Sequence, residues 1–143
     1  MELQLGGKKV LITGGSRGLG RSIGGTMAAE GCEVILASRT ESDLQKAQVE
    51  ITESTGAEVS VYAFDLSKTE NLERLVDACG DVDILVNNAG AIPGGSLLDV
   101  EEPRWREAWD LKVFGYINLT RMMYKIMKER GSGVIVNIIG LAG

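Results

Sequence analysis

Short apolar runs alternate along the chain with segments in which apolar residues recur every three or four positions. The runs at 8–13 (KKVLIT), 33–38 (EVILAS), 58–64 (EVSVYAF), 82–87 (VDILVN) and 133–138 (GVIVNI) are rich in Val, Ile and Leu and hardly alternate. That pattern predicts parallel strands buried on both faces. Between them, 18–30, 41–54, 70–79 and 103–130 read as helices. Thr40 with Asp43, and Ser67 with Glu70, fit a helix-start pattern in which a hydroxyl and a carboxylate three residues on satisfy free N–H groups. Pro103 suits a first helical position and Gly131 the residue after a helix end. The last helix, about 42 Å long at roughly 1.5 Å per residue, carries a wide apolar face of Trp105, Ala108, Trp109, Tyr116, Leu119, Met123 and Ile126. Five strands alternating with helices predict an α/β fold, a parallel sheet with right-handed crossovers, in a single domain over 1–143.

The 19 glycines are not spread evenly, since nine of them fall in the first 31 residues. With 15 basic and 20 acidic side chains the net charge is −5, and there is no arginine cluster, so a nucleic-acid footprint is not expected. The chain has no histidine, which excludes imidazole-based metal sites and triads. Cys32 and Cys79 lie far apart and outside any CxxC, and read as small apolar residues of a reducing compartment. Met1-Glu2-Leu3 does not begin a signal peptide, and no window approaches the roughly 20 apolar residues of a membrane span. The expectation is a cytoplasmic protein with no membrane partner. The sequence ends at Gly143 just after an apolar strand with no helix to cover it, which predicts a piece of a longer chain.

The strongest local signal is Thr13-Gly14-Gly15-Ser16-Arg17-Gly18-Leu19-Gly20, between the first strand and the first helix. Glycine there permits a tight turn and a close approach of backbone to a bound group, while the helix start offers free N–H groups to a phosphate. The spacing is T-G-x-x-x-G-x-G, and G-x-G-x-x-G does not match. Gly24 and Gly25 lie inside the helix, where each costs about 1 kcal/mol relative to alanine, and close helix–sheet packing is the expected reason for both.

Together with Asp65 after the third strand and Asn87-Asn88-Ala89-Gly90 after the fourth, this loop resembles the short-chain dehydrogenase/reductase family. The elements come in the family's order and strand–helix context over essentially the whole chain. The resemblance implies a Rossmann-like doubly wound parallel sheet with five strands present and the C-terminal part missing. It implies that Gly14, Ser16, Arg17, Gly18, Leu19 and Gly20 line a pyrophosphate and its ribose. It also implies that Asp65 accepts from an adenine amino group beside Leu66, and that Asn88, Ala89 and Gly90 pass the cofactor's other ribose. For Asp65 the competing reading is a carboxylate near the helix start at Ser67, and for Asn87 a role in tying strands together. At the end of the second strand, where an acidic residue would hold the 2′-hydroxyl of NAD, stand Ser38 and Arg39. With Arg17 they could cradle a 2′-phosphate, so NADP(H) is favoured over NAD(H).

The family reduces carbonyls or oxidises alcohols with a tyrosine and lysine spaced Tyr-x-x-x-Lys beyond the fifth strand, a serine at the end of that strand and an asparagine on the long helix. Here the asparagine position holds Lys112 and the serine position Gly140, and the sequence ends before a downstream Tyr-x-x-x-Lys. Tyr124-Lys125-Ile126-Met127-Lys128 matches literally but precedes the fifth strand and reads as helix composition, so no catalytic residue is assigned. Lys112 reads equally as a cation near the site or as a surface lysine. The reading is an oxidoreductase acting on a small alcohol or carbonyl, this chain being its cofactor-binding half and inactive alone. A homo-oligomer through 103–130 is expected. The alternatives are a dinucleotide-binding protein without turnover and a truncated chain that associates with intact relatives.

Overall fold

A computed structural model describes residues 2–90 and 92–140. Five strands, β1 (Lys9–Thr13), β2 (Glu33–Ser38), β3 (Val59–Ala63), β4 (Ile84–Asn87) and β5 (Val134–Asn137), form one sheet. Their order is β3-β2-β1-β4-β5 and every pairing is parallel. The helices are α1 (Gly18–Ala29), α2 (Glu41–Thr55), α3 (Thr69–Cys79), α4 (Glu102–Trp109) and α5 (Tyr116–Arg130). The predicted strands and the first three helices therefore stand, each within one or two residues of its expected ends.

The pleat explains why the strands read as continuous apolar runs. In β1, Val10 and Ile12 face one way and join Ala28 of α1 and Leu44, Ala47 and Ile51 of α2 in one buried cluster. Leu11 faces the other way and joins Leu72, Leu75 and Cys79 of α3 with Leu119, Met123 and Met127 of α5. Alternate side chains point to opposite faces, so a strand covered by helices on both sides must be apolar at every position. β5 departs from this expectation: among the described residues it pairs with β4 alone, is the edge strand and lacks cover on one side, so Val134 and Val136 are exposed. Leu141–Gly143, where the sequence ends, lie outside the described residues. Both cysteines are buried and free, and burial pushes the Cys79 thiol up to about 12.

The long helix is a correction. In place of one helix over 103–130, α4 and α5 are joined by a π-helical turn at Asp110–Gly115. A π-turn admits an extra residue per turn, and such insertions are frequent at functional sites. At its end, a Cβ on Gly115 would lie 3.1 Å from the Leu66 carbonyl oxygen, so the helix passes that backbone with no room for a side chain. The apolar face is also narrower than predicted. Ala108, Leu119, Met123 and Met127 are buried, whereas Trp109 is 53% exposed.

The expected helix starts are corrected as well. Thr40 is the N-cap of α2 but makes no side-chain cap, and the N-cap position of α3 is Lys68 rather than Ser67, again without a side-chain cap. Asp43 and Ser67 are drawn instead into contacts with Arg17 and Asp65. Gly131 does end α5, at φ +81° with its N–H bonded to Met127 and Lys128 carbonyls. Gly24 packs as predicted, its Cβ position 3.2 Å from Leu36 and 3.3 Å from Ile51, but nothing approaches Gly25, so packing does not account for that residue. No helix among the described residues is long and apolar enough to cross a membrane.

Leu85 is wholly buried between the sheet and the layer formed by α3 and α5. Leu85→Ala should therefore cost about 2–5 kcal/mol in urea denaturation. Tyr124→Phe, on the exposed side of α5, should change stability by less than about 0.5 kcal/mol in the same assay.

Candidate functional site: the cleft at the β1–β4 crossing

From β1 the chain winds through β2 to β3 at one edge, then returns to β4 and β5 on the other side of β1. Ligands of such sheets bind outside the strand carboxyl ends where the winding reverses. Here that point is a hydrogen-bonded clasp. The buried Thr13 hydroxyl accepts from the backbone N–H groups of Asn88 and Ala89, both at 3.0 Å. The Asn88 side-chain amide returns the contact, donating to the Thr13 and Gly14 carbonyls at 3.1 and 3.2 Å. Gly14 turns the chain at φ +66°, and a Cβ there would fall 2.9 Å from Ala89 Cα. Gly20 lies underneath, where a side chain would run into the Gly14 carbonyl. The loop can therefore lie on the end of β4 only because both residues are glycine.

Above the clasp opens the N-terminus of α1. Its N-cap is Arg17, which makes no side-chain cap, and its first turn holds no acidic residue. By contrast α2, α3 and α4 carry Glu41 with Asp43, Glu70 and Glu102 there. An uncapped helix start leaves N–H donors and a positive dipole end for an anion.

The α1 start borders a cleft of about 530 Å³. Gly14, Ser16, Arg17 and Leu19 line one side, Ser38 and Arg39 the next, and Leu66, Asn88 and Gly90 the far side. Gly18, which opens α1 at φ +52°, Gly20 and the buried Ala89 support this wall without lining it. The Ser38 hydroxyl is buried with no hydrogen-bond partner among the described residues. Arg17 is held at 2.6 Å by Asp43 from the first turn of α2, and Arg39 lies 4.0 Å from Glu107. Asp43, Thr40, Phe64 and Leu111 also line the cleft, and sequence reasoning missed them. Asp43 was there to be noticed as a first-turn acid of α2, but its approach to Arg17 joins two separate crossovers.

Asp65 sits apart, in an adjoining cavity of about 540 Å³ that Arg39 also borders. Its Oδ1 accepts from the Ser67 hydroxyl at 2.7 Å and the Ser67 amide at 3.0 Å. The Ser67 hydroxyl chiefly holds the carboxyl below the usual carboxylate range, with Arg39 and Lys68 adding positive charge. The local contact weighed against a ligand role is therefore present. Asn87 ties elements together: its amide donates to Thr120 Oγ1 at 3.0 Å and Asn137 Oδ1 at 2.8 Å.

At the head of β5, Lys112 from the π-turn donates to the Ile138 carbonyl at 2.6 Å and to the Tyr116 hydroxyl at 2.7 Å. It is half-buried and held by hydrogen bonds, which removes the surface-lysine reading. Among the described residues, nothing surrounds Gly140 within 4 Å of its Cβ position. Tyr124 is exposed, and Lys128 lies in the last turn of α5, at the end of the sheet away from the cleft.

A family profile for short chain dehydrogenases matches residues 8–143. A ketoacyl reductase of Nostoc sp. is 36% identical over 143 positions, covering 97% of this chain and 50% of that protein. The 7alpha-hydroxysteroid dehydrogenase of Escherichia coli is 33% identical over 144 positions, covering 98% and 56%. Among solved structures, L-sorbose reductase from Gluconobacter frateurii, complexed with NADPH and L-sorbose, superposes with a TM-score of 0.85 at 31% identity, covering 96% of this chain and 54% of that one. A doubly wound sheet with a glycine loop at its switch point defines a dinucleotide-binding class. Within it, the chain belongs to the short-chain dehydrogenase/reductase family. It spans about half the length of the curated relatives it matches.

Thr13→Val keeps the side-chain volume but strips one buried and one part-buried N–H group of their acceptor. At about 1–3 kcal/mol for each group left unpaired, it should destabilise the fold by roughly 2–5 kcal/mol in urea denaturation, while Thr13→Ser should recover most of the loss. Equal stability of the valine variant and the parent would show that the clasp does not hold β1 to β4.

Proposed function

We propose that this chain is the dinucleotide-binding part of an oxidoreductase that moves hydride between NADP(H) and a small alcohol or carbonyl substrate. The observation that carries the reading is the cleft at the β1–β4 crossing. It combines a helix start without acidic residues, two guanidinium groups and a buried Ser38 hydroxyl still lacking a partner among the described residues. These features fit a phosphorylated dinucleotide. The backbone of Gly14, Ser16, Gly18, Leu19 and Gly20 would take the pyrophosphate. Arg17, Ser38 and Arg39 would hold the 2′-phosphate, since Asp43 occupies one Arg17 nitrogen and the others keep donors to spare. Leu66 and Asp65 would flank the adenine, and Asn88, Ala89 and Gly90 the second ribose.

Bound there, the dinucleotide supplies or accepts the hydride. The chain's own residues fix its register and exclude water from the wall formed by Leu66 and Leu111. Turnover needs a proton donor and a holder for the substrate oxygen. Gly140 offers no side chain and Tyr124 faces away, so the 143 residues alone are inactive. The exposed Trp109, Phe114, Ile117 and Tyr124 on α4, the π-turn and α5 support a homo-oligomer formed through that stretch. Cytoplasmic residence fits the two free, buried thiols.

Calorimetric titration should show NADPH binding roughly ten- to a hundredfold more tightly than NADH, as charge-assisted hydrogen bonds to one phosphate provide. Arg39→Ala should bring the two affinities toward each other. Equal affinities in the unsubstituted chain would overturn the NADP assignment, and binding of neither would overturn the dinucleotide reading. An absorbance assay with NADPH and ethyl acetoacetate should show no oxidation above background for the chain alone. Turnover abolished by Tyr124→Phe would instead make the Tyr124–Lys128 spacing catalytic.

A further inference from the structure

At the head of β5 a positive charge is taken partly out of water and given no counter-ion. Among the described residues, no carboxylate stands within ion-pair distance of Lys112. Its ammonium has three N–H donors. Two of them go to the Ile138 carbonyl at 2.6 Å and the Tyr116 hydroxyl at 2.7 Å. Neutral oxygens orient a cation but do not cancel its charge, and partial desolvation without a counter-charge is unfavourable. Burial accordingly holds the Lys112 pKa below the ordinary lysine value.

The geometry is also fixed. The Lys112 stem lies across Gly90, whose Cβ position falls 2.5 Å from Lys112 Cδ and 3.1 Å from its Cβ. The Tyr116 hydroxyl donates to the same Ile138 carbonyl at 3.0 Å, and its ring centroid lies 4.6 Å from the ammonium. The nitrogen is thus pinned between the end of β4 and the end of β5, and it borders an open cavity of about 540 Å³ with Tyr116, Thr120, Asn137 and Ile139. Exposed Arg121 borders the same cavity.

We propose that Lys112 holds the reacting oxygen of the substrate, supplying from the π-turn the contact that Gly140 cannot make. The inference rests on the oxidoreductase reading. In the reducing direction, hydride from the reduced dinucleotide adds to the carbonyl carbon and the C=O electron pair passes to oxygen. The remaining Lys112 N–H holds that negative oxygen until a general acid gives it a proton and it becomes the alcohol. A donor aimed at developing charge in a partly dry site acts on the transition state more than on the ground state.

Acetate, a stable negative oxygen of small size, serves as the probe. Backbone amide NMR on the 15N-labelled chain, with and without NADPH, should show saturable acetate shifts at Gly90, Ile138 and Gly140. Lys112→Met keeps the stem over Gly90 and should weaken acetate on the order of ten- to a hundredfold, the range of hydrogen bonds to charged groups. Lys112→Arg should restore binding and Arg121→Met should leave it unchanged, while the rest of the spectrum reports that each variant is folded. Acetate bound equally by Lys112→Met, or no saturable shifts in the parent, would overturn the assignment even if NADPH binds. Acetate held through Lys112 in a chain that does not bind NADPH would overturn the hydride chemistry and leave Lys112 as an anion-binding residue.

Discussion

Everything at the functional end of this molecule depends on the clasp between Thr13 and Asn88. Two strands that are neighbours in space but whose paired residues are 74 apart in the chain must end at the same level, because the cleft lies on their ends. The Thr13 hydroxyl meets two backbone N–H groups of the chain leaving β4, and the Asn88 amide bonds back to the two carbonyls that close β1. Four polar contacts in a nearly dry place leave little freedom to slip. The glycine loop is seated on that clasp, and the start of α1 is seated on the loop. The same logic repeats one strand over, where Asn87 links β4 to Asn137 of β5 and to Thr120 of α5.

The electrostatics follow from what is left out as much as from what is present. A net charge of −5 would make an anion site improbable on a surface of average composition. At the start of α1, however, acidic side chains are excluded, and Asp43, which lines the same cleft, is turned to hold Arg17. The positive end of the helix, two guanidinium groups and a hydroxyl without a partner among the described residues then converge on one cleft. Field strength at a site is decided by placement over a few ångströms, not by the balance of the whole chain.

The π-turn at Asp110–Gly115 does similar work at the other end of the cleft. A regular helix would continue the register set by α4. The inserted residue shifts it, Gly115 clears the Leu66 carbonyl, and Lys112 reaches the end of β5 with Tyr116 one turn behind it. Thus the same helical stretch shows exposed aromatics to solvent and a pinned cation to the end of β5.

Much of this architecture was legible in the order of residues. Buried parallel strands must be apolar at every position, so the runs at β1, β2 and β4 announced themselves, as did the helix end at Gly131 and the phosphate-type loop after Thr13. Local chemistry dictates those features, and local chemistry is written consecutively. Other features stayed hidden because they are agreements between distant segments. The carboxylate of Asp43 looks like a helix-start group in one dimension, yet in three it is held by Arg17 from a separate crossover. A regular helix and one with a single wide turn share nearly the same apolar spacing, so the slip that aims Lys112 leaves no trace in periodicity. Lys112 itself could be weighed only as a solvated lysine or a site cation. What sets it apart from a solvated lysine is partial desolvation and hydrogen bonds to residues 4 and 26 positions away, the second of which exists only once β5 has paired with β4.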